Sequence, residues 1–179
     1  MSRTLRLFVA AYPPRPVAER LLAAARDLLP AEVRLTEAHQ VHLTLVFLGE
    51  HDERELPDIR ESIARSVAGF GPLVLRPVEL VMLPERGDPR LIAANTSLPR
   101  PMAEVQHRLA QRLALDRSRK SGFLPHLTLA RFPGKPIKRL TAPLTDEEFA
   151  IPEIRLMRSR LGQDGALHEL DKAFLLQPR

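Results

Sequence analysis

No cysteine occurs in the sequence, which rules out disulfides, thiolate metal sites and a cysteine nucleophile. Tryptophan is also missing, and the aromatics come to one tyrosine and seven phenylalanines. A broad base-stacking platform is therefore not expected, although one or two stacking rings are compatible with the count. No apolar run is long enough to span a bilayer, and the basic N-terminus does not lead into a signal-type apolar stretch. The expected location is the cytoplasm, without membrane contact. Glycine-rich phosphate loops of the Walker or dinucleotide type are absent, so ATP-driven chemistry lacks its usual support and no cofactor is expected. Acidic residues are outnumbered, 22 against 27 basic ones, for a formal net charge of +5. That balance favours anionic partners such as RNA, nucleotides or phosphate esters.

What is present is a stretch that occurs twice. His42-Leu43-Thr44-Leu45 returns as His126-Leu127-Thr128-Leu129, 84 positions later. Both copies lie in strand-like runs, Val41 to Leu48 and Pro125 to Phe132. Side chains alternate along a strand, so His and Thr of each copy share one face and the two leucines share the other. The apolar face can pack on a core while the His/Thr face lines a cleft.

The same shift of 84 maps Arg6-Leu7 onto Arg90-Leu91 and Ala10 onto Ala94. Each half reads as a short apolar strand, a proline cluster, a helix, a loop and the HLTL strand. An internal duplication follows, with two halves related by a pseudo-twofold axis and equivalent strands meeting at the centre. At 179 residues one domain is expected, spanning 1–179 and built of two pseudo-symmetric lobes.

Along the chain, Leu5 to Ala11 reads as a strand and Val17 to Leu29 as a helix. Asp52 and Glu55 form a helix-start pair ahead of a second helix through Val67. Leu73 to Leu83 reads as a strand interrupted at Pro77, an edge or a bulge. Leu91 to Asn95 is the next strand, and Met102, Val105, Leu109 and Leu113 mark a third helix. The basic stretch Asp116 to Ser121 reads as a loop, and a terminal hairpin turns at Gly162 to Gly165.

Two facing imidazoles suit general acid–base work on a phosphate ester. With an ordinary pKa of about 6.5, one ring can start neutral and the other protonated. The neutral ring takes a proton from the attacking oxygen and the cationic ring gives one to the departing oxygen. Thr44 and Thr128 can donate to non-bridging phosphate oxygens from opposite sides. Arg131 lies five residues after His126, so strict alternation turns it to the other face unless a bulge or the strand end brings it inward. His39 and His42 are three apart, yet no carboxylate cluster or cysteine completes a first shell, and no metal site is expected. His51 and His107 read as surface residues, and His168, in the last hairpin, has two readings: a solvated strand histidine first, a ring approaching the cleft second.

At these residues the chain resembles the 2H phosphoesterases, most closely the RNA 2′,3′-cyclic phosphodiesterase (2′-5′ RNA ligase) family. The two His-x-Thr-x motifs carry the resemblance. So do Arg6-Leu7-Phe8-Val9-Ala10, Phe47-Leu48-Gly49-Glu50, Phe123-x-Pro125 with Ala130-Arg131, and Arg158-Ser159-Arg160-Leu161. It implies a bilobal α+β fold, two antiparallel sheets flanking a central cleft with helices packed outside. It implies metal-independent opening of a 2′,3′-cyclic phosphate to a 2′-phosphomonoester, with reversible 2′-5′ joining of RNA ends. His42 and His126 are then catalytic, Thr44, Thr128 and Arg131 bind phosphate, and Phe8 and Phe123 are nucleoside-binding candidates. The product assigns His126 as base and His42 as acid at the 3′ oxygen. The partners are RNA ends or nucleotides bearing the cyclic phosphate, met by a monomer. The departures are Leu35, Met157 and His168, where relatives carry aromatic residues. Two other readings are an RNA-binding module of this fold without turnover, and a related enzyme for ADP-ribose cyclic phosphate or 2′-5′ oligoadenylate.

Overall fold

A computed structural model of the chain describes residues 3–113, 122–132, 138–145, 147–162 and 165–178. The basic stretch Asp116 to Ser121 and the hairpin tip Gln163-Asp164 lie outside these residues. Ten strands and three α-helices are described. In chain order they are β1 (Thr4–Ala11), α1 (Arg15–Leu28), β2 (Leu43–Asp52), α2 (Leu56–Val67), β3 (Leu73–Leu75), β4 (Pro77–Leu83), β5 (Leu91–Thr96), α3 (Arg100–Leu113), β6 (His126–Arg131), β7 (Thr141–Pro143), β8 (Phe149–Ile151), β9 (Glu153–Gly162) and β10 (Gly165–Leu175). No helix among the described residues is long and apolar enough to cross a membrane.

Eight strands form one antiparallel sheet in the order β10-β9-β1-β2-β6-β5-β4-β7, and β3 pairs with β8 in a small second sheet. The large sheet consists of two halves that meet where β2 lies against β6. Leu43 and Leu127 pair there, the second residue of each HLTL motif. The two sheets expected around a cleft are thus the halves of one sheet, hinged at its centre.

Pairing within the halves shows how the duplication works. In the first half Ala11, Ala10, Val9 and Phe8 face Leu43, Thr44, Val46 and Phe47. In the second, Ala94, Ala93, Ile92 and Leu91 face Leu127, Thr128, Ala130 and Arg131. The HLTL strands are related by 84 positions, but their partner strands by 83, so the single shift read from the sequence slips by one at β1 and β5. The helices are related by 85: Arg15-Pro16-Val17-Ala18-Glu19 opens α1 and Arg100-Pro101-Met102-Ala103-Glu104 opens α3. Loop lengths have drifted while the duplicated helices have not, since α1 and α3 both run 14 residues.

One face of the sheet is covered. Leu7, Val9, Leu43, Leu45, Ile92, Leu127 and Leu129 join the apolar faces of all three helices in a single core. Each duplicated helix contacts the central strand of the other half, α1 on β6 and α3 on β2. Gln106 of α3 donates to the Leu45 carbonyl at 3.4 Å. The halves therefore share one core. Each fully buried leucine there contributes about 2 kcal/mol of transfer free energy.

The Asp52–Glu55 pair is a reciprocal capping box leading into α2. Pro77 ends one pairing and begins another: β3 leaves for the small sheet, and the register of β4 against β5 shifts just after Pro77. Proline lacks the N–H that a continuous ladder needs there.

Candidate active site

The open face of the sheet carries His42, Thr44, His126 and Thr128. Continuing the Leu43–Leu127 register by one residue each way sets His42 beside Thr128 and Thr44 beside His126. Both threonines are half-buried, and the leucines between are at most 3% exposed. Each histidine is held in the same way. The His42 Nδ1–H donates to the carbonyl of Gln40 at 2.6 Å, and the His126 Nδ1–H to that of Leu124 at 2.9 Å. A carbonyl can only accept, so each bond puts a proton on Nδ1 and leaves Nε2 for chemistry.

Arg131 reaches this face because strand alternation is broken. Thr128 pairs with Ala93 and Ala130 with Ile92, leaving Leu129 as the extra residue of a bulge. Leu129 and Ala130 both enter the core, so Arg131 turns back to the side of His126 and Thr128. Its positive charge acts on His42 and His168. The first half has the same bulge at Leu45, and Phe47 there occupies the place of Arg131.

Around His42 the chain gathers rings. Phe8 lies 5.2 Å from it, Tyr12 5.4 Å, and His168 5.0 Å in an edge-on contact, all between ring centroids. Burial, with the charges of His168, Arg131 and His126, outweighs the Gln40 hydrogen bond and pushes the His42 pKa down to about 4. Its imidazole is neutral in the free protein near neutral pH. Burial likewise raises the Tyr12 phenol to about 12, against the Arg155 guanidinium that sits 4.7 Å from its ring centre. Tyr12 is thus a neutral hydrogen-bonding group.

Beside His126 stands Asn95, its partner across β5 and β6. Asn95 lies 83 positions from Tyr12, so the two flank the two histidines equivalently. Among the described residues, Tyr12 Oη, Asn95 Oδ1 and His168 Nδ1 are buried polar atoms without a hydrogen-bond partner. Buried polar groups are normally paired. Three such atoms on one face mark a surface built to meet a ligand.

One of the two aromatic expectations changes. Phe8 is only 2% exposed, wedged against His42, His168 and Phe47, and cannot offer a ring face to a base. Phe123 packs against the main core. The cleft ring that stays open is Phe47, at 54% exposure. Its signal was present in the sequence as the position 84 before Arg131. His168 belongs to the cleft and not to solvent. His39 is a surface residue near Glu37, whereas the His51 ring is largely buried beside Glu55. Among the described residues no group of three His, Asp or Glu side chains is arranged to hold a metal.

The family model of the 2′-5′ RNA ligase superfamily matches residues 13–163, across both histidines. The chain belongs to that superfamily. A protein of Thermus thermophilus named RNA 2′,3′-cyclic phosphodiesterase is 31% identical, the alignment covering 97% of this chain and 91% of the relative. One of the same name from Methanocaldococcus jannaschii is 26% identical over 94% of this chain and 99% of the relative. Among solved structures, one from Thermus thermophilus superposes with a TM-score of 0.86 at 27% identity, covering 97% of this chain and 99% of that one. Escherichia coli LigT complexed with 3′-AMP shares the fold, with a TM-score of 0.79 at 23% identity, over 98% and 99% of the two chains.

Proposed function

We propose that this 2′-5′ RNA ligase superfamily member opens 2′,3′-cyclic phosphates at RNA ends to 2′-phosphomonoesters by acid–base catalysis between His42 and His126. The observation that carries the proposal is the matched pair of Nδ1–carbonyl clamps, which leaves two Nε2 atoms on one sheet face. The names of the relatives support the substrate class. Thr44, Thr128 and Arg131 hold the phosphate oxygens, and the exposed Phe47, in place of the buried Phe8, contacts the nucleoside.

In-line opening needs a base on one side of phosphorus and an acid on the other. His126 takes the proton of the attacking water, and His42 protonates the departing 3′ oxygen. Because His42 is neutral in the free protein, it gains its proton as the substrate anion arrives beside Arg131. An anion at that place offsets the cationic neighbours that hold the ring neutral. The same sequence with an RNA 5′-hydroxyl in place of water gives the 2′-5′ joining reaction: the 5′ oxygen bonds to phosphorus, giving its proton to His126, as the 3′ oxygen leaves with a proton from His42.

The test is incubation with nucleoside 2′,3′-cyclic phosphates in EDTA and identification of the product. Accumulation of the 2′-phosphomonoester supports the reading. Binding without turnover makes the chain an RNA-binding module, and a requirement for a divalent ion contradicts the metal-free mechanism.

A further inference from the structure

The cleft contains a third histidine for which two-histidine chemistry has no use. His168 sits on β10, two strands away from β1, and its ring reaches over β1 to meet Phe8 at 4.8 Å and His42 at 5.0 Å. Its Nδ1 is buried and, among the described residues, without a hydrogen-bond partner. Across the pair of strands it faces Ser159, which carries no charge.

Among the described residues the one charge shown acting on this ring is that of Arg131; Arg6, opposite Ser159, and Glu50, opposite Arg6, lie in the same row of the sheet. From β2 it meets His42, and from β6 the charge of Arg131 acts on it. From β1 come Phe8 and, around the same His42 ring, the neutral phenol of Tyr12. On β9, Arg155 is engaged with Glu153 and Tyr12, Arg158 with Asp171, and Arg160 with Glu169. The acids of β10 itself are taken too, Glu169 by Arg160 and Asp171 by Arg60 and Arg158. Burial and Arg131 thus act on His168 in the same sense, lowering its pKa from the usual value. A doubly charged phosphate placed among His42, His168 and Arg131 reverses the sign of that environment.

We propose that His168 is a substrate-binding residue, an imidazole that takes up a proton when a phosphate group enters the cleft and then grips it jointly with Arg131. The inference rests on the phosphoesterase reading and deepens it. The phosphomonoester product, which carries more negative charge than the cyclic diester, benefits most. Its release is therefore slowest under acidic conditions.

Calorimetric titration of the whole protein with a nucleoside 2′-monophosphate and with inorganic phosphate tests this. Each titration is run in two buffers of different ionisation enthalpy, from pH 6 to 8. Wild type is compared with His168→Gln and with His168→Phe, which keeps a packed ring against Phe8 and His42. Wild type should take up more protons on binding than either variant. Its affinity should fall more steeply with rising pH, by up to about tenfold per unit for each linked proton. Phe and Gln should behave alike, since the missing group is the titrating nitrogen and not the ring. Equal proton uptake in all three proteins, with cyclic phosphate turnover intact, overturns the role of His168 alone. Failure of wild type to bind either ligand or to turn over cyclic phosphates overturns the phosphoesterase reading with it.

Discussion

Phe47 and Arg131 occupy the same position in the two halves of one sheet. Each follows an HLTL motif, each is turned to the open face by a bulge two residues earlier, and they lie 84 residues apart. The duplication gives two imidazoles held in the same way, and this pair of positions breaks the equivalence. One end of the cleft offers a cation and the other an exposed ring.

Arg131→Ala should lower kcat/KM by about 10²–10³, the usual loss when a charge contact to a developing anion is removed. Steady-state kinetics on a cyclic nucleotide, with a thermal melt to confirm folding, check it. Unchanged kinetics would make Arg131 a surface residue.

Phe47→Ala should raise KM by about tenfold with little change in kcat, as loss of one stacking contact does. Phe8→Ala should behave differently. The Phe8 ring is buried against His42 and Met157, so its loss should cost about 3–5 kcal/mol of stability in denaturant unfolding.

Acid should destabilise the protein through His42. The unfolded chain takes up this proton near pH 6.5, the folded chain only near 4. Between those values the unfolded state binds more protons, so stability falls as pH drops through the window and levels off below it. The loss amounts to roughly 3 kcal/mol. Urea unfolding at stepped pH should show a steeper slope in wild type than in His42→Gln, which keeps the smaller contribution of His168.

Asp171 ties the terminal hairpin to α2. Its fully buried carboxylate accepts from Arg60 at 2.8 and 2.9 Å and from Arg158 at 2.9 Å. These partners hold its pKa below the usual value despite burial. Asp171→Asn should cost about 2–3 kcal/mol, the lower part of the range for a broken buried pair, because Arg60 keeps access to solvent. The same stabilisation in wild type is present above the ordinary carboxylate pKa and is lost as pH falls through the depressed one, below the His42 window. Unfolding curves for the variant that match wild type at neutral pH would contradict the anchoring role.

The repeat made much of this legible in advance. Identical tetrapeptides at a fixed spacing located both histidines, both threonines and the central strands, because a period of two fixes which side chains share a face. The bulges at Leu45 and Leu129 were not legible. They depend on which residue of a partner strand is skipped, and only pairing shows that. Arg131 was therefore left between two faces, and Phe47 was passed over. His168 was legible only as the second of two readings, because it lies far along the chain and enters the cleft across β1, a packing that no local pattern specifies.

The central claim is that His42 and His126 act as a pair on opposite sides of one phosphorus. The most direct measurement is turnover of a nucleoside 2′,3′-cyclic phosphate, and of its analogue with sulfur as the 3′ leaving atom, by wild type, His42→Ala and His126→Ala. Both variants should lose about 10²–10⁴ in rate on the oxygen substrate. A thiolate leaves without a proton, so His42→Ala should recover on the sulfur substrate while His126→Ala stays inactive. Recovery of His126→Ala instead would exchange the two roles. Natural-substrate turnover retained by either variant would contradict the two-histidine mechanism itself.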